Sequence, residues 1–220
     1  MTDKEHDLFS RLERSGIIAV LIIEKVEHAV PVAEALLAGG VDAMELTLRT
    51  PAALGALKEI RARVPQMLAG IGTILTTDQV QQVVDCGGAF GVAPGMNPGV
   101  VEAAITAGLA FAPGICTPSD IERALEYDRR LLKFFPAEPS GGLKYLDAIA
   151  APYQHLGMKY VPLGGVNEAN CAAWFASRHV GSIGGSWLAS KEMIAAGDWE
   201  GIAALAKRVV TIQREVRAAR

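Results

Sequence analysis

The residue best placed for chemistry is a lysine in the middle of the most apolar stretch of the chain, Leu131-Leu132-Lys133-Phe134-Phe135-Pro136. Burying an ammonium is costly unless it is paired, and a buried lysine can instead shed its proton. The neutral amine is then a nucleophile that forms a Schiff base with a ketone. Two other readings fit the same residue: a lysine snorkelling from a strand end, or one paired with a buried carboxylate.

A second polar set lies in Ala43-Met44-Glu45-Leu46-Thr47-Leu48-Arg49. Side chains alternate along a strand, so Glu45, Thr47 and Arg49 share one face and Met44, Leu46 and Leu48 the other. The apolar set faces covering helices. The polar set then points inward, with Arg49 at the strand's C-terminal end. The same parity turns Lys133 inward with Leu131 and Phe135. A carboxylate and an amine facing one interior could serve a small ketone as acid/base and nucleophile. An internal Glu45–Arg49 ion pair is the structural alternative.

Thr73, in Gly70-Ile71-Gly72-Thr73, offers a hydroxyl at another strand end or, alternatively, a helix cap. Pro162-Leu163-Gly164-Gly165 and Ile183-Gly184-Gly185-Ser186-Trp187 end two further strands. Paired glycines let backbone N–H groups approach an anion, or simply make a turn.

The elements that must position these residues form a repeat of strand then helix. Short apolar runs predict strands at 17–23, 43–49, 67–73, 90–94, 109–114, 130–136, 159–163 and 180–184. Helices are predicted near 28–38, 52–63, 77–86, 98–107, 118–127, 142–150, 168–176 and 199–217. Thr50-Pro51, Asn97-Pro98 and Thr117-Pro118 read as caps before a first-turn proline, and Thr77-Asp78 and Asn167-Glu168 as further caps. Gly39-Gly40, Gly87-Gly88 and Gly108 close helices. Eight units predict one closed (β/α)8 TIM barrel over residues 1–220, with an extra N-terminal helix near 4–14. Its chemistry belongs at the strands' C-terminal ends, and phosphate at the loops after strands seven and eight. The rival open dinucleotide-binding sheet lacks its glycine-rich first turn: Ile22-Ile23-Glu24-Lys25-Val26 has no glycine.

At 220 residues, half of them hydrophobic and with net charge −3, the chain has ample core and no basic surface for nucleic acid or anionic membrane. No apolar run is long enough to span a bilayer, and the polar start lacks a signal-peptide core. Three widely spaced cysteines, Cys86, Cys116 and Cys171, predict reduced thiols in the cytoplasm. Cys116 reads as a small buried hydrophobe. His6, His28, His155 and His179 form no metal-ligand pattern and fall at no predicted strand C-terminus, so no metal is expected.

The motifs Glu45-Leu46-Thr47-Leu48-Arg49-Thr50, Gly70-Ile71-Gly72-Thr73, Lys133-Phe134-Phe135-Pro136-Ala137-Glu138 and Ile183-Gly184-Gly185-Ser186-Trp187 span nearly the whole chain. Together they resemble the 2-keto-3-deoxy-6-phosphogluconate (KDPG) and 4-hydroxy-2-oxoglutarate (KHG) aldolases, the class I pyruvate aldolases. The resemblance implies Lys133 as Schiff-base lysine, Glu45 as general acid/base, and Arg49 and Thr73 as binders of the pyruvate carboxylate. It implies Pro94 and Phe135 as pocket walls, and Gly164, Gly165, Gly185 and Ser186 as the phosphate-end loops. A cytoplasmic homotrimer acting on a 2-keto acid without metal or organic cofactor is implied as well. Leu163 departs from the threonine usual at that position in phosphogluconate-type members. Leucine cannot offer a hydroxyl to the substrate, which leaves the galactonate-type C4 epimer open as an alternative substrate. A phosphosugar epimerase or isomerase and a non-catalytic metabolite sensor are the rivals on the same barrel.

Overall fold

The computed structural model describes residues 3–219. Its strands are β1 (Ile17–Leu21), β2 (Ala43–Thr47), β3 (Leu68–Gly72), β4 (Gly91–Val92), β5 (Phe111–Ala112), β6 (Gly114–Ile115), β7 (Leu131–Phe134), β8 (Lys159–Pro162) and β9 (Ile183–Gly185). Its helices are α1 (Asp3–Ser15), α2 (Ala29–Ala38), α3 (Ala53–Arg63), α4 (Thr77–Asp85), α5 (Pro98–Thr106), α6 (Pro118–Glu126), α7 (Gly142–Ala150), α8 (Cys171–Ala176), α9 (Lys191–Ala196) and α10 (Trp199–Ala218).

The strand pairs are parallel and form two sheets, ordered β5-β4-β3-β2-β1-β9 and β6-β7-β8. Both sheets curl around one inner cluster, to which Ile18, Val20, Ala43, Leu68, Phe90, Val92, Leu131, Val161 and Leu163 contribute. The alternate residues, such as Ala19, Met44, Leu46, Leu132, Phe134 and Tyr160, join the outer layer packed under helices. This inside/outside alternation is the period-two pattern of the strands. The fifth predicted strand is split in the structure into β5 and β6. Pro113 lies at the break: it has no N–H for a ladder, although its carbonyl accepts from the Lys133 amide at 2.9 Å.

Helix α1 places Phe9 and Leu12 in the inner cluster. It lies at the strands' N-terminal ends, where the Ser182 hydroxyl donates to the Leu12 carbonyl at 2.7 Å. The Arg129 guanidinium, 3% exposed and two residues before β7, pairs with Glu5 of α1. Removing one partner of a buried pair strands the other charge. Glu5→Ala is therefore expected to cost about 3–5 kcal/mol of stability, measured by denaturant unfolding; a loss below about 1 kcal/mol, the worth of an exposed pair, would show that water reaches Arg129. Arginines also collect where α1 and α10 end. Arg217 donates to the Glu13 carbonyl at 2.8 Å and Gln213 to the Ser15 carbonyl at 2.8 Å, satisfying last-turn groups of α1.

The helix starts hold in part. Asn97 caps α5, with its side chain accepting from the Gly99 amide, and Thr117 forms a capping box with Asp120 ahead of α6. For α4 the cap is Thr76 rather than Thr77, because Gln79 stands three residues after Thr76 and closes the box. Thr50 caps no helix. Its hydroxyl donates to the Ile23 carbonyl, tying the loop after β2 to the loop after β1, and α3 starts after Ala52. The Asn167 side chain accepts from the Ala169 and Asn170 amides, so a turn precedes α8 and delays its start to Cys171.

Candidate active site

Lys133 lies on β7, between Gly114 of β6 and Val161 of β8 in register, and is 6% exposed. Glu45 lies on β2 and is 1% exposed. The Lys133 Nζ is 3.5 Å from Glu45 Oε1. The sequence alternative of a Glu45–Arg49 pair is thus replaced by a pair between the two sheets. At 3.5 Å this contact is long for a charge-assisted hydrogen bond. A small cavity reaches both groups and is otherwise lined by apolar side chains, among them Ile18, Phe90, Val92, Val161 and Leu163. An apolar lining lowers the local dielectric, which strengthens any electrostatic contact. Nζ also stands 5.4 Å from the centroid of the Phe135 ring, within cation–π range.

Gly72 makes the room. A Cβ built on it would lie 2.5 Å from Glu45 Oε1, so any side chain there displaces the carboxylate. On the amine's side, a Cβ on Gly114 would meet the Pro94 carbonyl carbon and oxygen at 2.2 Å, so this glycine lets the end of β4 approach β6. Reading the sequence did not single out either steric role, since a glycine in a strand equally signals a bulge.

Beyond the strand ends, Arg49 is exposed just after β2. Its amide donates to the Thr47 carbonyl at 2.8 Å, and among the described residues its guanidinium has no partner. Thr73 follows β3 with φ 65°, in the left-handed region. A β-branched residue there is a backbone outlier, of the strained kind that clusters at ligand sites. It caps no helix, because Thr76 does so, and the capping alternative falls. Half-buried Pro94 follows β4, and Phe135, 37% exposed, follows β7 and is joined to Pro136 by a cis peptide.

The loop after β8 carries Gly164 and Gly165 at φ 92° and 91°, which only glycine adopts readily. The amides of Ala137 and Glu138 donate to the Leu163 and Gly164 carbonyls at 2.7 and 2.9 Å. The Glu138 carboxylate accepts from Trp174 at 2.9 Å and Asn170 at 3.2 Å, and Asn170 also donates to the Gly165 carbonyl at 3.1 Å. A Cβ on Gly165 would strike the Glu138 Cβ at 2.5 Å. Glu138 thus buttresses the loop, a role its place in the motif did not disclose. Gly185 ends β9, beside Ala19 of β1, and exposed Ser186 follows it. Leu163 is buried and packs over Gly184, where a Cβ would meet its Cγ at 2.9 Å, so the two glycine loops are neighbours. Cys116 is half-buried rather than buried, and its thiol donates to Ser140 at 3.1 Å. His179 is buried before β9, away from these strand ends, and burial pushes its imidazole down. Among the described residues no group of three metal-ligating side chains could hold an ion.

A family model described as KDPG and KHG aldolase matches residues 8–205. The chain belongs to this family. It is 42% identical over 205 residues to a 2-dehydro-3-deoxy-phosphogluconate aldolase of Treponema pallidum, covering 93% of this chain and 97% of that one. It is 39% identical over 201 residues to the KHG/KDPG aldolase of Escherichia coli, covering 91% and 93%. A crystal structure of the Legionella pneumophila KDPG aldolase, with pyruvate captured as a covalent carbinolamine intermediate, superposes with a TM-score of 0.88 at 34% identity, covering 94% of this chain and 98% of that one. A carbinolamine needs an amine and a ketone at one place. In the present chain Lys133 is a lysine buried beside the Glu45 carboxylate.

Proposed function

We propose that this chain is a class I aldolase, a carbon–carbon lyase. It cleaves KDPG to pyruvate and glyceraldehyde 3-phosphate, and/or KHG to pyruvate and glyoxylate. The observation that carries the reading is the Lys133 amine 3.5 Å from the Glu45 carboxylate in an apolar interior, in a chain of this family.

Attack on the C2 ketone needs the amine without its extra proton, and Glu45 is the base within reach. The C2 adduct loses water to give a protonated imine, which draws electrons from the C3–C4 bond. Glu45 takes the C4 hydroxyl proton as that bond breaks. The aldehyde leaves, and the enamine that remains takes a proton at C3. Hydrolysis then frees pyruvate and the amine. Arg49, with no protein partner for its guanidinium among the described residues, takes the substrate carboxylate together with Thr73 and so aims C2 at Lys133. Pro94 and Phe135 wall the pocket. Gly164, Gly165, Gly185 and Ser186 receive the phosphate end, and Leu163 lies beneath it.

The two sheets close into one eight-strand ring, with β5 and β6 as one interrupted strand and α1 as an additional helix across its N-terminal end. Their shared inner cluster supports this. The described residues, 3–219, form a single domain. The enzyme works in the cytoplasm as a homotrimer without metal or organic cofactor, a reading drawn from the family resemblance. Among the described residues no helix is long and apolar enough to cross a membrane.

Borohydride reduction in the presence of pyruvate tests the scheme: one pyruvate-derived mass is expected on Lys133, and an unmodified Lys133 would end it. Arg49→Ala is expected to weaken pyruvate binding by about 1.5–3 kcal/mol, the worth of a hydrogen bond to a charged group. Unchanged affinity in a competition assay would make Arg49 structural.

A further inference from the structure

The inner face of β2 carries a polar group that the scheme above leaves unused. Thr47 is 3% exposed, and its Oγ1 has no hydrogen-bond partner among the described residues. Nearly all buried hydroxyls are paired, and an unpaired one calls for an explanation in function or solvent. Valine has almost the same shape and would carry no such cost.

The position supplies the explanation. Thr47 stands on the Glu45 face, and two residues along a strand advance about 6.6 Å. Opposite Thr47 in register is Gly72 of β3. The Glu45 carboxylate leans over that same glycine, as its 2.5 Å approach to a Cβ built there shows, and Lys133 Nζ is 3.5 Å from it. The carboxylate, with the amine beside it, therefore reaches toward the level of Thr47, below exposed Arg49. A 2-keto acid whose C1 carboxylate is held at Arg49 and whose C2 bonds to Nζ carries its C2 oxygen at this level.

We propose that Thr47 is a further catalytic residue, whose hydroxyl donates a hydrogen bond to the C2 oxygen as that oxygen passes from ketone to carbinolamine to leaving water. The inference rests on the aldolase reading. The Nζ lone pair forms the N–C2 bond while the carbonyl π pair moves to oxygen. One N–H proton passes through Glu45 to that oxygen. A second proton, taken from solvent by Glu45, then reaches the hydroxyl. The C2–O bond breaks, water departs, and the nitrogen lone pair forms the protonated imine. Thr47 gains and loses no proton; it stabilises the oxygen where negative charge develops.

The test compares Thr47→Val, Thr47→Ser and the unaltered enzyme in rapid-quench borohydride trapping with pyruvate, alongside thermal unfolding. Thr47→Val should slow adduct formation on Lys133 about 10–100-fold, as expected for one hydrogen bond to a developing charge. Its Tm should be unchanged or a few degrees higher, because an unpaired buried hydroxyl has been removed. Thr47→Ser should recover the rate to within about threefold. Adduct formation by Thr47→Val at the unaltered rate, or slow formation by Thr47→Ser as well, would overturn the proposal and leave the aldolase reading standing. Absence of any adduct in the unaltered enzyme would take down both.

Discussion

Lys133→Met is expected to abolish aldol cleavage, with kcat falling on the order of 10⁶-fold, the scale of removing a covalent nucleophile. Methionine keeps the length and apolar stem of lysine but offers no amine, so the imine that draws electrons from the C3–C4 bond cannot form. The same change tests the geometry. It leaves Glu45, 1% exposed, without the Lys133 partner. An isolated buried carboxylate costs about 3–5 kcal/mol, so Lys133→Met should also unfold at lower denaturant concentration. Adding Glu45→Gln to Lys133→Met should return a good part of that loss, because two residues in contact are coupled. Steady-state pyruvate release and urea unfolding measure the two effects. Residual cleavage above about one part in a hundred would show a second nucleophile, and strictly additive stabilities would show that the amine and carboxylate do not interact.

Glu45→Gln alone is expected to lower kcat by about 10²–10⁴-fold, the usual size of a positioned general acid–base group. The amide can still hydrogen-bond but cannot carry protons among the amine, the C2 oxygen and the C4 hydroxyl. Binding of pyruvate should be nearly preserved, since Arg49 and Thr73 hold its carboxylate in the proposed site. A KM-against-kcat comparison reads the split. A variant with near-normal kcat would remove Glu45 from the chemistry and assign its burial to pairing alone. Gly72→Ala probes the same group from outside: its Cβ would press on Glu45 Oε1, where only 2.5 Å is available.

Much of this molecule was legible in the chain. Period-two alternation assigned Glu45, Thr47 and Lys133 to inward faces, and the structure places all three in the buried interior. Apolar runs and proline or threonine punctuation located the strand–helix units, and the errors were local. Thr50 was misread as a cap because its hydroxyl is drawn to a carbonyl 27 residues earlier. The cap of α4 was misread by one residue, because Thr76 and Thr77 both offer a hydroxyl and only the place of Gln79 decides between them. The fifth strand reads as continuous from its apolar run, but Pro113 within that run has no amide for the ladder and splits it into β5 and β6.

The sequence by itself determined which residue types stand on which face and the family to which the chain belongs. Both depend on neighbours close along the chain or on motifs in order. Only the tertiary structure decided that Glu45 pairs with Lys133, 88 residues away, instead of with Arg49 on its own strand. Strand alternation places a side chain inward but does not choose its partner across the interior. The same holds for the left-handed backbone at Thr73, the Glu45 carboxylate seated over Gly72 and the unpaired hydroxyl of Thr47. Each is a property of what surrounds the residue, and those surroundings exist only once strands distant in the chain have come together.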